Sequence, residues 1–248
     1  MDDTTLLYVA GSIAAFLVGM SKGGLGLVGT LGVPILALVI SPLQAAAVLL
    51  PVYVVSDLGA LWIYRREYSR DNLWILIPAG AVGVAIGWAT ASFVSDRGVG
   101  LLVGIVGIGF CLNTWRQRRH PLEPRRADRG RGAILGALMG FTSFVSHAGA
   151  PLFQVFVLPQ RLPKMIYAGT ATIVFAAING LKLIPYAALG QLSFANLRIA
   201  AVLAVPAIIG TQLGLRVVRV LPQERYYMIV MVLLLLVSVR LILKALGI

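Results

Sequence analysis

Between two apolar runs the chain carries the stretch Gly19-Met-Ser-Lys-Gly-Gly-Leu-Gly-Leu-Val-Gly-Thr-Leu-Gly32, which is followed closely by Pro34. Six residues of this stretch are glycine, and one, Lys22, is charged. Glycine lets the backbone leave the helical conformation and lets a ligand approach it closely. We therefore predict that a helix is interrupted here.

The composition around this stretch is that of a chain lying almost wholly in a bilayer. Of its 248 residues 59% are hydrophobic and 12% are charged, and its mean hydropathy is +0.91. Soluble domains average about 45–50% apolar and about 25% charged residues. This difference excludes a soluble globular enzyme, a disordered chain and a disulfide scaffold.

The single cysteine, Cys111, excludes an internal disulfide and a cysteine-based metal site. We expect no metal and no cofactor.

Long apolar segments predict an all-α polytopic membrane protein. A spanning helix needs about 20 apolar residues, and the segments of that length cover roughly 43–64, 71–94, 97–115, 165–188, 194–218 and 226–247. A shorter pair, broken by glycine and polar residues, precedes each group of three; the pairs cover about 5–20 with 25–40, and about 132–145 with 149–158. The acidic start Met1-Asp2-Asp3 lacks the basic region of a secretory signal, so we expect the first apolar run to be retained.

The two halves of the chain repeat the same motifs in the same order. A Ser-x-x-Asn-Leu motif, a proline and a Gly-x-x-x-Gly pair follow one another twice, at Ser69, Pro78 and Gly83 and again at Ser193, Pro206 and Gly210. This repetition indicates an internal duplication. We predict an N-terminal transmembrane repeat over 1–115, a basic linker over 116–131 and a C-terminal transmembrane repeat over 132–248.

The basic residues indicate how the repeats are oriented. If each half crosses the membrane an odd number of times, most loop arginines and lysines, including the seven arginines of 116–131, collect on one face, which is then cytoplasmic. The chain then consists of two inverted-topology repeats, each a short broken, re-entrant helix pair followed by three transmembrane helices. The net charge of +12 is therefore attributed to membrane orientation and to contact with lipid headgroups. A nucleic-acid partner is not expected.

The first break is a candidate anion-binding site. Backbone N–H groups at the start of the following half-helix attract an anion, and Lys22 adds a full positive charge. The candidate substrate-binding residues here are Ser21, Lys22, Gly23, Gly24 and Gly26. The alternative is close helix packing through small residues, with a lysine that reaches the membrane surface.

The second break offers hydroxyl groups and one histidine. Its candidate substrate-binding residues are Ser143, Ser146, His147 and Gly149. Because histidine titrates near neutral pH, His147 is also a candidate for carrying a proton. The alternative is hydrogen bonding within the helix or to a neighbouring helix.

Ionisable residues inside the predicted spans are costly and usually functional. Asp57 is a candidate for proton coupling. Its approximate counterpart in the second half is Asn179, and Lys182, one helical turn beyond, is a candidate for substrate binding. Two alternatives remain open: a mutual salt bridge between Asp57 and Lys182, or a Lys182 side chain that snorkels to the surface.

The Gly-x-x-x-Gly pairs predict close helix packing, and a homodimer through glycine-rich faces is also open.

These features together resemble the TauE/SafE (sulfite exporter) family of bacterial membrane proteins. The resemblance rests on the break from Gly19 to Pro34, on its partner ending at Gly149-Ala150-Pro151, on the duplication and on the length. It implies an exporter of sulfur-containing anions, such as sulfite, thiosulfate, sulfoacetate or other organosulfonates, in the bacterial inner membrane. By position, the Lys22-Gly23-Gly24 loop and the segment from Ser143 to Pro151 are implied to form the site.

We therefore predict a secondary transporter of small anions, driven by a gradient such as that of protons, and not an enzyme. A passive anion channel is one alternative. An intramembrane serine protease is another, because Gly19-x-Ser21-x-Gly23 matches a nucleophile elbow and His147 offers a base.

Overall fold

The computed structural model describes residues 3–90, 93, 96–116 and 124–247, and within them the chain is helical and has no strand. Its α-helices are α1 Asp3–Lys22, α2 Gly32–Leu36, α3 Pro42–Tyr64, α4 Arg70–Ala89, α5 Asp96–Arg116, α6 Arg129–Ser146, α7 Ala150–Val157, α8 Lys164–Ala188, α9 Phe194–Val220 and α10 Gln223–Leu246. Two 3-10 helices accompany them, Gly26–Leu31 before α2 and Leu158–Gln160 after α7. Residues 117–123 of the predicted linker lie outside the described residues.

Length and composition allow several of these helices to cross a membrane. Among the described residues six qualify, namely α1, α3 from Gln44, α4, α8, α9 and α10. The prediction of an all-α polytopic membrane protein is thus confirmed. The segment predicted over 97–115 forms the 21-residue helix α5, which is not among these six, whereas α1, predicted as the arm of a short pair, is among them.

The first short pair differs from its prediction. The first helix was expected over about 5–20, but α1 has 20 residues and includes Ser21 and Lys22, which were expected in the break. The second arm was expected as one helix over about 25–40. Instead it is a six-residue 3-10 helix followed by the five-residue helix α2.

The repeated Ser-x-x-Asn motif begins a helix in both halves. The hydroxyl of Ser69 accepts from the backbone N–H of Asn72 at the start of α4, and that of Ser193 accepts from the backbone N–H of Asn196 at the start of α9. A serine in this position satisfies an N–H group that the helix leaves without an internal partner. The two motifs are therefore equivalent in structure as well as in sequence.

Contacts divide the chain into two compact units. The first unit consists of Met1–Tyr68 and Ala168–Leu221, and therefore holds α1, α2, α3, α9 and most of α8. Its core includes Val18, Leu36, Leu49 and Leu203. Helix α1 approaches α9 so closely that a Cβ atom at Gly19 would overlap the carbonyl of Ala207.

The second unit consists of Ser69–Tyr167 and Pro222–Ile248, and holds α4, α5, α6, α7 and α10. Helix α4 approaches α6 as α1 approaches α9, since a Cβ atom at Gly83 would overlap the carbonyl of Ala137 and one at Gly140 that of Gly80. The predicted packing role of these glycines is confirmed.

The same kind of helix pair recurs in both units. In each, the first helix of one predicted repeat packs through glycines against the fourth helix of the other, as an internal duplication would give. The repeat boundaries at 115 and 132 and the inverted orientation stay predictions.

Candidate functional site

A buried ion pair joins the end of α1 to the middle of α3. The ammonium Nζ of Lys22 lies 2.7 Å from Oδ1 of Asp57. Only 4% of Lys22 and 3% of Asp57 is exposed. A buried charge is tolerated only when it is paired and hydrogen-bonded, so each residue requires the other. The sequence left open a mutual salt bridge between Asp57 and Lys182; the ion pair described here joins Asp57 to Lys22, a pairing that the sequence did not predict.

Helix α8 adds two polar side chains to this pair. Nδ2 of Asn179 donates to Oδ2 of Asp57 at 2.8 Å. Lys182 is fully buried and lies close enough to Lys22 and Asp57 for direct electrostatic interaction. Its side chain therefore does not snorkel to the surface of the unit. We call Lys22, Asp57, Asn179 and Lys182 the lysine cluster; it contains two lysines and one carboxylate.

Two aromatic rings border the ammonium group of Lys22. Its Nζ lies 5.2 Å from the ring centroid of Tyr53 and 5.9 Å from that of Phe175, within the range of cation–π attraction. Tyr53 precedes Asp57 by one helical turn, and Phe175 precedes Asn179 by the same spacing. The cluster thus draws on equivalent positions of α3 and α8.

The glycine turn after Lys22 is closed by its own hydrogen bonds. The amides of Gly23, Gly24 and Leu25 donate to the carbonyls of Gly19, Ser21 and Met20 at 3.0, 3.2 and 3.2 Å. Gly24 has φ of +123°, a conformation that L side chains rarely adopt. The amides of Gly23 and Gly24, which we expected to face an anion, are therefore engaged, and their role in binding stays a prediction that requires the turn to open.

Side chains of α3 and α8 hold the carbonyl groups of this turn. Tyr64 donates to the carbonyl of Gly23 at 2.6 Å, and Tyr53 donates to that of Gly29 at 2.7 Å. Thr172 donates to the carbonyl of Lys22 at 3.3 Å. The two tyrosines were missed from the sequence. Their signal is that a buried tyrosine hydroxyl needs an acceptor, and a broken helix provides carbonyls.

Ser21 and Gly26 border the same turn but differ in surroundings. The hydroxyl of Ser21 donates to the carbonyl of Val18 in its own helix at 2.6 Å. A serine nucleophile needs a base within hydrogen-bond reach, and the hydrogen bond of Ser21 is made within its own helix. At Gly26 an added Cβ atom would meet nothing within 4 Å.

The second break lies in the second unit. His147 ends α6 in the left-handed conformation, with φ of 53°, and its amide donates to the carbonyl of Ser143 at 3.2 Å. The hydroxyl of Ser146 donates to the carbonyl of Thr142 at 3.3 Å, and Gly149 is the N-cap of α7. The Ser146 bond is of the intrahelical kind that we gave as the alternative. The binding roles of these four candidate residues stay predictions.

A reciprocal amide pair also lies in the second unit, and the sequence did not reveal it. Asn72 donates to Oε1 of Gln160 at 2.8 Å, and Gln160 donates to Oδ1 of Asn72 at 2.9 Å. This buried pair fixes the start of α4 against the segment after α7.

Among the described residues no group of three or more His, Cys, Asp or Glu side chains could hold a metal ion.

Charged side chains buried inside spanning helices commonly mark substrate or ion pathways, so the helices and the lysine cluster fit a polytopic membrane protein of the transporter class. A comparison with protein families matches the chain, over residues 12–241, to the family described as sulfite exporter TauE/SafE. The chain belongs to this family, as its resemblance implied. Neither the curated proteins nor the solved structures give a match. TauE/SafE is a transporter family, which agrees with a non-enzymatic chain.

Proposed function

We propose that this protein is a secondary transporter that exports small sulfur-containing anions: sulfite, thiosulfate, sulfoacetate or another organosulfonate. We place it in a bacterial inner membrane, with the linker 116–131 on the cytoplasmic side. Family membership supports a membrane exporter of anions. The choice among these anions, the direction of transport and the coupling are our proposal.

The observation that carries the proposal is the composition of the lysine cluster. Two buried lysines, Lys22 and Lys182, share the cluster with the single carboxylate of Asp57, which Lys22 contacts and with which Lys182 interacts electrostatically. In an interior that screens charge poorly, a protonated Lys182 gives the cluster a net positive charge, and this charge favours an anionic ligand. A site for a cationic substrate would have the opposite net charge.

Asp57 is the side chain that we propose for proton coupling. Its carboxylate is bound by Lys22 of α1 and Asn179 of α8, and Lys182 and Tyr53 also interact with it electrostatically. A proton on Asp57 would release the ammonium group of Lys22 to a substrate. Anion and proton binding would thereby be coupled. His147 is the second candidate, in the second unit.

Transport by Lys22→Gln in proteoliposomes tests the proposal. Glutamine keeps a polar side chain but removes the charge, and loss of a charge-assisted hydrogen bond costs about 1.5–3 kcal/mol. We expect sulfite transport by folded protein to fall about 10- to 100-fold. Lys244→Gln, on an exposed residue in the last turn of α10, is the matched control and should transport normally. Unchanged transport by Lys22→Gln would contradict the proposal.

The same vesicles distinguish a coupled carrier from a passive channel. An imposed pH gradient should drive sulfite against its own gradient in a proton-coupled carrier. A channel allows only flux down the electrochemical gradient of the anion.

We propose a homodimer only through helix faces that are not packed inside a unit. One such face lies at Gly109 of α5, where a Cβ atom would meet nothing within 4 Å. Most glycine-rich faces already pack within the units.

A further inference from the structure

We propose that Nζ of Lys22 and Nδ2 of Asn179 form the oxyanion-binding pair of this transporter, and that the carboxylate of Asp57 occupies this pair as an internal anion until a substrate oxyanion displaces it. The inference rests on the proposed function and specifies its ligand. The ligand is a small anion that presents two oxygens on one atom: a sulfite, sulfonate, sulfinate or carboxylate group.

The geometry of the pair defines this ligand class. Lys22 contacts Oδ1 of Asp57 at 2.7 Å, and Asn179 donates to Oδ2 at 2.8 Å. The two donors come from different helices, α1 and α8, and hold the two oxygens of a single group. A charged donor and a neutral donor arranged in this way fit any small –XO2⁻ edge.

The surroundings of the pair allow an exchange of anions. Lys182 is fully buried and interacts electrostatically with Lys22 and Asp57. When it is protonated, Lys182 can compensate the carboxylate of Asp57 after displacement, so that neither anion is left alone in the interior. The rings of Tyr53 and Phe175 keep Lys22 attracted to the site while the anions exchange.

Chemical rescue of Asp57→Ala tests this proposal. The substitution removes a carboxylate group and leaves room for formate, which has the same charged group. The purified variant is melted in sodium formate, in sodium sulfite and in sodium gluconate of equal ionic strength, gluconate being too large for the space. At about 100 times the dissociation constant we expect formate and sulfite to raise the melting temperature by about 5 °C over gluconate.

Two variants serve as matched controls. Asp57→Asn fills the same space with a neutral group, so formate should not raise its melting temperature. In the double variant Asp57→Ala with Lys22→Gln the rescue should be lost, because the charged donor is absent. Rescue that persists in this double variant would show that the anion binds elsewhere, and the inference would be wrong.

The remaining outcomes are equally informative. No rescue of folded Asp57→Ala, or aggregation of this variant in all three salts, overturns the inference, since the site then accepts no external anion. If wild-type transport of sulfite nevertheless depends on Lys22, the proposed function stands alone. If formate rescues Asp57→Ala but the wild type transports no sulfur anion, the oxyanion pair stands and the proposed function fails.

Discussion

At the scale of single residues, the bond between Lys22 and Asp57 governs how substitutions in the lysine cluster act. Both side chains are buried, and Asn179 satisfies the second carboxylate oxygen. Breaking a buried pair by removing one partner costs about 3–5 kcal/mol, whereas replacing both partners together often costs little. The two single changes are therefore not independent.

We expect the double variant Lys22→Gln with Asp57→Asn to melt well above the temperature that the two single variants predict additively. Each single change leaves one charge without its partner, and the double change leaves none at this bond. A double-mutant cycle from thermal or denaturant unfolding in detergent measures the coupling, which we expect to be at least about 1 kcal/mol. Additive effects would show that the pair contributes nothing to folding.

The sequence revealed the charged members of the cluster but not their contacts. Lys22, Asp57 and Lys182 stand out because ionisable residues are rare inside apolar segments. Asn179 was seen only as the counterpart of Asp57, and their hydrogen bond joins residues 122 positions apart. Such bonds are set by the packing of α1, α3 and α8, which no local pattern encodes.

At the scale of elements, apolar length predicted the long helices and the second broken pair, which forms α6 and α7, but it failed at the second arm of the first broken pair. The segments expected over 43–64 and 165–188 form α3, Pro42–Tyr64, and α8, Lys164–Ala188. The first break begins later than the sequence predicts, because neither a glycine nor a lysine has to end a helix. Helix α1 continues to Lys22, whose charge is buried against Asp57, and the chain turns at Gly24.

Two glycines of this break should respond differently to alanine. At Gly19 the new Cβ atom would overlap the backbone of Ala207 and force α1 away from α9, whereas at Gly26 it meets nothing within 4 Å. Overpacking of this kind costs about 1–3 kcal/mol or more. We expect Gly19→Ala to lower the melting temperature by several degrees and Gly26→Ala to leave it nearly unchanged. Equal melting temperatures would contradict the close approach of α1 and α9.

At the scale of the whole molecule, the first unit contains an indication of inverted repeats. Helices α3 and α8 occupy equivalent places in the two predicted repeats, and Asp57 of one bonds the equivalent Asn179 of the other. A Cβ atom at Gly169, near the start of α8, would overlap the carbonyl of Glu67, just after the end of α3. The two helices therefore run in opposite directions, which favours the inverted arrangement that the loop charges predicted.

This direction leads to a test of membrane topology within the first unit. Helix α8 has 25 residues and is about 37 Å long, enough to cross a bilayer. Arg66 lies close to the first turns of α8, and Gln191 lies beyond the last turn of this helix. An odd number of crossings in each half predicts that these two residues lie on opposite faces of the membrane. With an even number, the loop carrying Arg66 and the loop carrying Gln191 would lie on the same face.

We expect single cysteines at these two positions, in a Cys111→Ala background, to react with an impermeant maleimide from opposite sides. Gln191→Cys should be labelled in intact spheroplasts, and Arg66→Cys only after the membrane is permeabilised, because the positive-inside rule places the arginine-rich loop in the cytoplasm. Retained sulfite transport by each variant controls for native folding. Labelling of both cysteines from the same side would exclude inverted repeats, since the two halves would then cross the membrane in the same direction.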